Sequence, residues 1–293
     1  MTAVAPRRET GPAAARAATR PASIRATVAR RVLSDAGWLV AALAVMALLW
    51  QLAVTTLGLG EFGTKSVGDV WTFLVTEADA AANRAELGAA LGETAQHALA
   101  GFVVGMAVGI GLAVAFVLLP ALERPLMPVL LLTQALPVLA VLPLFVLLFG
   151  RGLVVTLVIT TLAVFFPAFV LSSQGLRAVP GDQLSYLDSL DAGRWTTLRR
   201  LRLPSAVPDL FAAARVAVPS AMFGAIVAEW LATGDGLGYL MITAAAGSGG
   251  YSLLWAAVAL TTVFTMLWYA AVGVLEAICL GHFAPDRLAR TSR

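Results

Sequence analysis

Few residues in this chain of 293 have the type and spacing that chemistry requires. His97 and His282 are its two histidines and Cys279 its one cysteine, so neither an HExxH metal motif nor a CxxC site exists. Cys279 reads as a small apolar residue of a membrane span. Residues 60–66, GEFGTKS, approach a phosphate-binding loop, but Thr64 separates Gly63 from Lys65 and no strand precedes them. Nucleotide binding is therefore not expected of this chain. Three ionisable residues fall inside apolar runs: Arg215, Glu229 and Glu276. A charge at membrane depth is a functional candidate, yet each of these lies near the end of its run. Arg215 can snorkel, and Glu229 stands beside Trp230, an interfacial residue type. Interfacial solvation is the expected state of all three, with Arg215 and Glu276 in one leaflet and able to pair. No series of mid-membrane acids suggests a proton relay.

Composition accounts for this poverty. The chain is 59% hydrophobic and 13% charged, whereas a soluble domain carries about 25% charged residues; mean hydropathy is +0.86. It is an integral membrane protein by composition. A bilayer core of about 30 Å needs roughly 20 apolar residues of helix. Six segments qualify: 38–57, 95–118, 126–149, 153–171, 207–231 and 253–280. Residues 1–37, rich in Ala, Arg, Pro and Thr, are expected to be a disordered tail. The apolar run after Arg30-Arg31 is too long for a cleaved signal. The segment between the first two spans, 58–93, is acidic; it is expected to be a solvated connector with a short surface helix over 67–75.

Charge gives the orientation. The basic residues of the tail, Arg124, the arginines from Arg177 to Arg202, and Arg287, Arg290 and Arg293 fall on one side; Lys65, Arg84 and Arg151 fall on the other. The positive-inside rule places both termini in the cytoplasm. The pI near 9.5 thus reflects topology and not a nucleic-acid surface.

Three constellations stand out. Gly101, Gly105 and Gly109 line one face of the second span and admit a close backbone, either within the chain or in a second copy. The third span contains Pro128, Pro137 and Pro143 with Gln134 at its middle. Breaks of this kind persist in lipid where protein or a water-filled cavity satisfies the freed carbonyls. Gln134, Pro137 and Pro143 are therefore candidates to line a pathway; a kinked packing helix is the alternative. Finally, residues 181–210 form a polar, arginine-bearing loop between two spans. Leu184, Leu187, Leu190, Trp195, Leu198 and Leu201 give it an apolar stripe at helical spacing, as in short amphipathic helices open to a soluble partner.

The loop and its flanks resemble the inner-membrane permease subunits of binding-protein-dependent ABC importers, whose cytoplasmic loop follows the pattern EAA-x3-G-x9-I-x-LP. Leu203-Pro204 matches its end, and SAVPDLFAAARVAV continues as the family does. The motif glycine falls on Asp191, and its EAA on Ser185, Tyr186 and Leu187. Asp191-Ala192-Gly193-Arg194-Trp195 retains part of the usual G-A-S-R-W texture. RPLMPVLLLTQALPVLAVLPLFVLLFGRG in span three, AIVAEWLATGDGLGYLM over 225–241 and ALAGFVVGMAVGIGLAV in span two resemble the nitrate, sulfonate and taurine branch. The resemblance covers about residues 85–285.

The resemblance implies an all-α polytopic membrane protein with six transmembrane helices in the type I ABC importer permease fold. Its parts would be a tail 1–37, a first span and external loop 38–92, a permease core 93–283 with a coupling loop 174–206, and a tail 284–293. The chain would form the translocation pathway in the inner membrane of a prokaryote, paired with a second permease copy. It would bind no cofactor of its own, ATP and Mg being held by a cytoplasmic ABC ATPase dimer; an extracytoplasmic binding protein would deliver substrate. Ser185, Leu187, Leu190, Asp191, Ala192, Gly193, Arg194, Trp195, Leu198, Leu203 and Pro204 would make up the ATPase-coupling element, with Leu187, Leu190, Trp195 and Leu198 in contact. Glycine at the motif position permits close approach or an unusual backbone angle; Asp191 also tolerates such an angle and could cap a helix starting at Ala192. The substrate would be a sulfonate, taurine, nitrate or a pyrimidine-type vitamin precursor. A secondary transporter is the alternative reading, though ion-coordinating groups at mid-membrane are scarce. A membrane enzyme would need a cluster of His, Asp, Glu or Cys at one depth. A receptor or scaffold would have no use for the broken third span.

Overall fold

A computed structural model describes residues 24–58, 63–135, 137–247 and 250–283. The described residues are mainly helical, with no strand among them. The long helices are α1 (Ile24–Thr56), α3 (Ala80–Leu118), α6 (Leu153–Arg177), α9 (Leu203–Ala232) and α11 (Tyr251–Phe283). Five helices are long and apolar enough to cross a membrane. Two further helices, α4 (Glu123–Ala135) and α5 (Val138–Phe149), meet at 101° and bring the number of crossings to six when the pair is counted as one span. Shorter helices are α2 (Val67–Trp71), α7 (Gly181–Ser189), α8 (Arg194–Thr197) and α10 (Gly236–Ala246).

The third span is broken rather than bent. Of its three prolines, Pro128 and Pro143 lie within continuous helix, while Pro137 is the N-cap of α5 with ψ at 100°. A proline at a helix start loses no bond, and it disfavours helical geometry in the residue before it.

The glycine stripe of α3 has its partner inside the chain. A methyl group built on Gly105 would stand 2.6 Å from Val164 Cβ, and one on Gly109 would stand 2.7 Å from the Phe165 carbonyl oxygen, both on α6. Gly101 faces Thr160 of the same helix. On α9 the buried alanines Ala213, Ala217, Ala221 and Ala225 recur every four residues, giving a second close contact. These three helices form the centre of the molecule, where small residues gain contact through backbone proximity.

Two expectations, one at each end of the first span, are corrected. The helix α1 starts at Ile24, so 24–37 is not an irregular tail; residues 1–23 and 284–293 lie outside the described residues. The segment 58–93 is not merely a solvated connector. Its described part carries the expected short helix, α2, extended by one π-turn (Thr72–Thr76). Ser66 and Asp69 close a capping box at its start. The Ser66 backbone N–H and hydroxyl hold the Asp69 carboxyl below its ordinary range. The indole of Trp50 donates to the Lys65 carbonyl at 3.0 Å, and Gln51 accepts from the Val67 N–H at 3.1 Å. Beyond it, α3 begins at Ala80. Leu87 and Ala90 are buried because they continue, at helical spacing, the inward face that Thr94, Ala98 and Gly101 carry through the span.

Candidate functional site

The polar loop is a helix, a sharp turn and a second helix. Three bonds end α7: Leu190 N–H to the Leu187 carbonyl (3.2 Å), Asp191 N–H to Asp188 (3.0 Å), and Ala192 N–H to Leu187 (3.1 Å). The last two are the crossed pair of a Schellman ending, which requires a left-handed residue between them. Asp191 is that residue, with φ at 51°, and it is the one non-glycine residue with positive φ among the described residues. The unusual angle expected at the motif glycine is therefore present, carried by aspartate. The expected cap is not: α8 starts at Arg194, after Gly193 at its N-cap, and no side chain caps it. A left-handed L-residue costs about 1–2 kcal/mol, least for Asn and Asp. Asp191→Gly should slow hydrogen exchange in the last turn of α7, and Asp191→Ile should accelerate it; equal exchange in both variants would show that the turn does not depend on this angle.

The second half of the loop is fastened to the spans. Arg194 Nη1 donates to the Leu118 carbonyl at the end of α3 (3.0 Å), and Arg202 Nη1 to the Leu176 carbonyl near the end of α6 (2.9 Å). Both satisfy carbonyls that a helix C-terminus leaves open and complement its negative dipole end. Arg177 also pairs with Glu123 at 2.7 Å, joining α6 to α4. From α8 the chain passes through one π-turn, Leu198–Arg202, directly into α9. Leu203 and Pro204 follow this π-turn and open α9.

The apolar stripe of the loop divides. Leu190 is 60% exposed and Trp195 62%. Tyr186, not among the contacts expected from sequence, is 67% exposed. Leu198 is corrected: at 1% exposure it packs with Phe116, Phe169, Leu176 and Ala206 and offers nothing to a partner. Leu187 and Ala192 are half-buried, and Ser185 and Gly193 are exposed. A cleft of about 370 Å³ between α7 and the π-turn is lined by Asp182, Gln183, Tyr186, Leu187, Arg200 and Leu201.

The candidate pathway residues are exposed as well. Gln134 and Pro137 flank the break in span three, and Pro143 lies on α5. The pairing expected of Arg215 and Glu276 is present as an ion pair between α9 and α11. Arg215 also helps line a cavity of about 550 Å³ with Trp38, Pro219 and Tyr269 among its walls.

Glu229 overturns its expected interfacial solvation. Its side chain is 0% exposed. One carboxylate oxygen accepts from the Thr94 hydroxyl and the Gly238 N–H, each at 2.9 Å, while the other lies 2.9 Å from His97 Nδ1. The Leu237 N–H donates in turn to the Thr94 hydroxyl at 2.8 Å. Sequence reasoning keeps Glu229 and His97 apart, because one lies on α9 and the other on α3. A signal exists: His97 stands four residues before Gly101, on the face of the glycine stripe.

Comparison with known proteins places this architecture. The family described as "Binding-protein-dependent transport system inner membrane component" matches residues 105–278, a stretch that includes the loop and most of the spans. A probable ABC transporter permease protein of Haemophilus influenzae is 30% identical over 200 residues, covering 68% of this chain and 79% of that one. The riboflavin transport system permease protein of Chloroflexus aurantiacus is 36% identical over 155 residues, 53% of this chain and 58% of its own. The formylaminopyrimidine transport permease protein of Halalkalibacterium halodurans is 33% identical over 184 residues, 60% and 72% of the two chains. The crossing helices, the anchored polar loop and this match lead to one conclusion: the chain belongs to the family of inner-membrane components of binding-protein-dependent transport systems.

Proposed function

We propose that this chain is the permease of an ATP-driven importer and receives its driving motion through residues 181–204. The supporting observation is the construction of that loop. Tyr186, Leu190 and Trp195 present exposed apolar surface, while Arg194, Arg202 and Leu198 tie the same short segment to α3 and α6. Exposed aromatic and aliphatic side chains on a rigid base suit insertion into a groove. The rigid base would pass a push on the loop to the spans as a rigid-body movement. The partner is a dimer of cytoplasmic ABC ATPases, which hold ATP and Mg; this chain holds neither. With the loop in the cytoplasm, both termini are cytoplasmic, and α2, α10 and the break after α9 face outward towards a substrate-binding protein.

A second permease copy completes the pathway, with Gln134, Pro137 and Pro143 along it. The substrate is a small solute of the kinds for which the relatives are named: riboflavin and a formylaminopyrimidine, or a sulfonate, taurine or nitrate. Co-expression with an ABC ATPase and a substrate-binding protein from the same organism provides the test. A stable complex that hydrolyses ATP faster when the loaded binding protein is added, and imports solute only with ATP, is the expected result. Uptake by this chain alone, driven by an ion gradient, would replace the proposal with a secondary transporter.

A further inference from the structure

The Glu229 cluster joins three helices, and its geometry gives it a purpose beyond packing. The helix α10 has no cap of its own: Asp235 is its N-cap residue and makes no side-chain capping bond. The open N–H groups of its first turn, from Leu237 and Gly238, are taken by Thr94 of α3 and Glu229 of α9. A buried carboxylate at a helix N-terminus is favoured by the dipole and by direct hydrogen bonds. Gly236 and Gly238 make the approach feasible. A methyl group on Gly238 would lie 2.8 Å from Glu229 Cβ, and one on Gly236 would press into the carboxylate.

The covalent link between α9 and α10 is by contrast permissive. It is a tight turn bounded by Gly234 and Gly236, with φ at 96° and 84°. Glycines at both ends allow α10 to swing relative to α9. On its other side α10 is seated by apolar contacts: Leu237 and Met241 pack with Val70 of α2, Leu87 of α3 and Ala256 and Ala257 of α11. Without Glu229, α10 keeps that seat but loses its tie to α9. The helix α9 itself has 30 residues, about 45 Å at 1.5 Å per residue, and continues from the loop anchored by Arg202. One end of this rod is the loop; the other, three residues past Glu229, is the turn into α10.

We propose that Glu229, oriented by Thr94 and His97, is a positioning residue that makes α10 follow α9, so that movement entering at the 181–204 loop reaches the opposite face of the protein. This rests on the transporter reading above. The test uses the full complex of permease, ATPase and binding protein in lipid nanodiscs, with Glu229→Leu, Glu229→Gln and Thr94→Val. In Glu229→Leu, transport and the stimulation of hydrolysis by the binding protein should fall about tenfold or more, within the range of coupling energies between sites. Basal hydrolysis and complex yield should stay unchanged. Glu229→Gln should recover most of the loss, since its oxygen can accept from Thr94 and Gly238 and its amide can donate to His97 Nδ1. Thr94→Val should show the same split in weaker form, and it decides the matter if Glu229→Leu fails to assemble.

Hydrogen exchange on the permease alone supplies a second readout: the first turn of α10 should exchange faster in Glu229→Leu while α3 and α9 do not. Intact coupling in Glu229→Leu, failure of Glu229→Gln to recover it, or parallel loss of basal activity and yield in Thr94→Val would each overturn the proposal. A wild-type complex without ATPase activity would instead refute the transporter reading, and the exchange measurement would then decide whether Glu229 ties α10 to α9.

Discussion

Replacing Leu190 and Trp195 with alanine is expected to release the ATPase from a permease that remains folded. Both side chains are mostly exposed, and exposed positions away from special contacts usually change stability by under about 0.5 kcal/mol. At an interface the same side chains are anchors. Truncating a central aromatic costs about 2 kcal/mol or more, which is roughly 30-fold in affinity at 1.4 kcal/mol per decade. Leu198→Ala is the contrasting variant. Leu198 is buried among Phe116, Phe169 and Leu176, so its truncation should lower stability by about 2–5 kcal/mol and weaken the ATPase only through unfolding. Affinity of the purified ATPase for the permease, measured beside thermal unfolding of the permease alone, separates the two. Equal affinity in the Leu190/Trp195 double variant and the wild type would move the contact elsewhere. Asp191 adds a finer control on the same surface: Asp191→Gly should keep stimulated ATP hydrolysis, and Asp191→Ile should lose it.

The second large effect is expected where α3 meets α6. Gly109→Ala should destabilise the protein by about 1–3 kcal/mol, the usual cost of overpacking. The added methyl would lie 2.7 Å from the Phe165 carbonyl and 2.8 Å from both Ala168 Cβ and Phe169 N. Two of those three atoms are backbone and cannot rotate away. Gly111→Ala, two residues on, should be neutral or stabilising by up to about 1 kcal/mol, because nothing lies within 4 Å of its added methyl and alanine favours helix. Thermal unfolding of both variants in detergent is the measurement. A Gly111→Ala protein that unfolds as early as Gly109→Ala would mean that the close α3–α6 contact at Gly109 does not set the outcome.

Both surfaces are partly legible in the amino-acid sequence. The glycine stripe can be read because helical period puts Gly101, Gly105 and Gly109 on one face. Whether that face meets a second chain or α6 cannot be read, since glycine's small size licenses any close neighbour. The motif glycine that Asp191 replaces leaves two readings, close approach or a left-handed angle, and the structure selects the angle. The direction of the Asp191 side chain is not legible, because capping depends on where the next helix begins, two residues further on than expected. Spacing from Trp195 assigns Leu198 outward. Its burial comes instead from Phe116 of α3 and Phe169 and Leu176 of α6, which pack against it from far along the chain. Glu229 is misread along the chain for a related reason. Its neighbour Trp230 and its place near the end of the span describe depth, whereas its burial comes from α3 and α10 closing over it.

The sequence alone determined that this is a polytopic helical membrane protein with a polar loop set between two spans, and that it carries no recognisable catalytic or nucleotide-binding motif. Those conclusions follow from sums and periods along the chain: total apolar content, lengths of apolar runs and the distribution of arginine between loops. The tertiary structure alone decided which proline breaks the third span, which face of the loop is free, and that Glu229 and His97 meet Thr94 beneath α10. Each depends on atoms brought together from helices far apart in the chain. A buried carboxylate is stable only when several such donors converge on it at hydrogen-bond distance, and no local pattern of residues specifies that convergence.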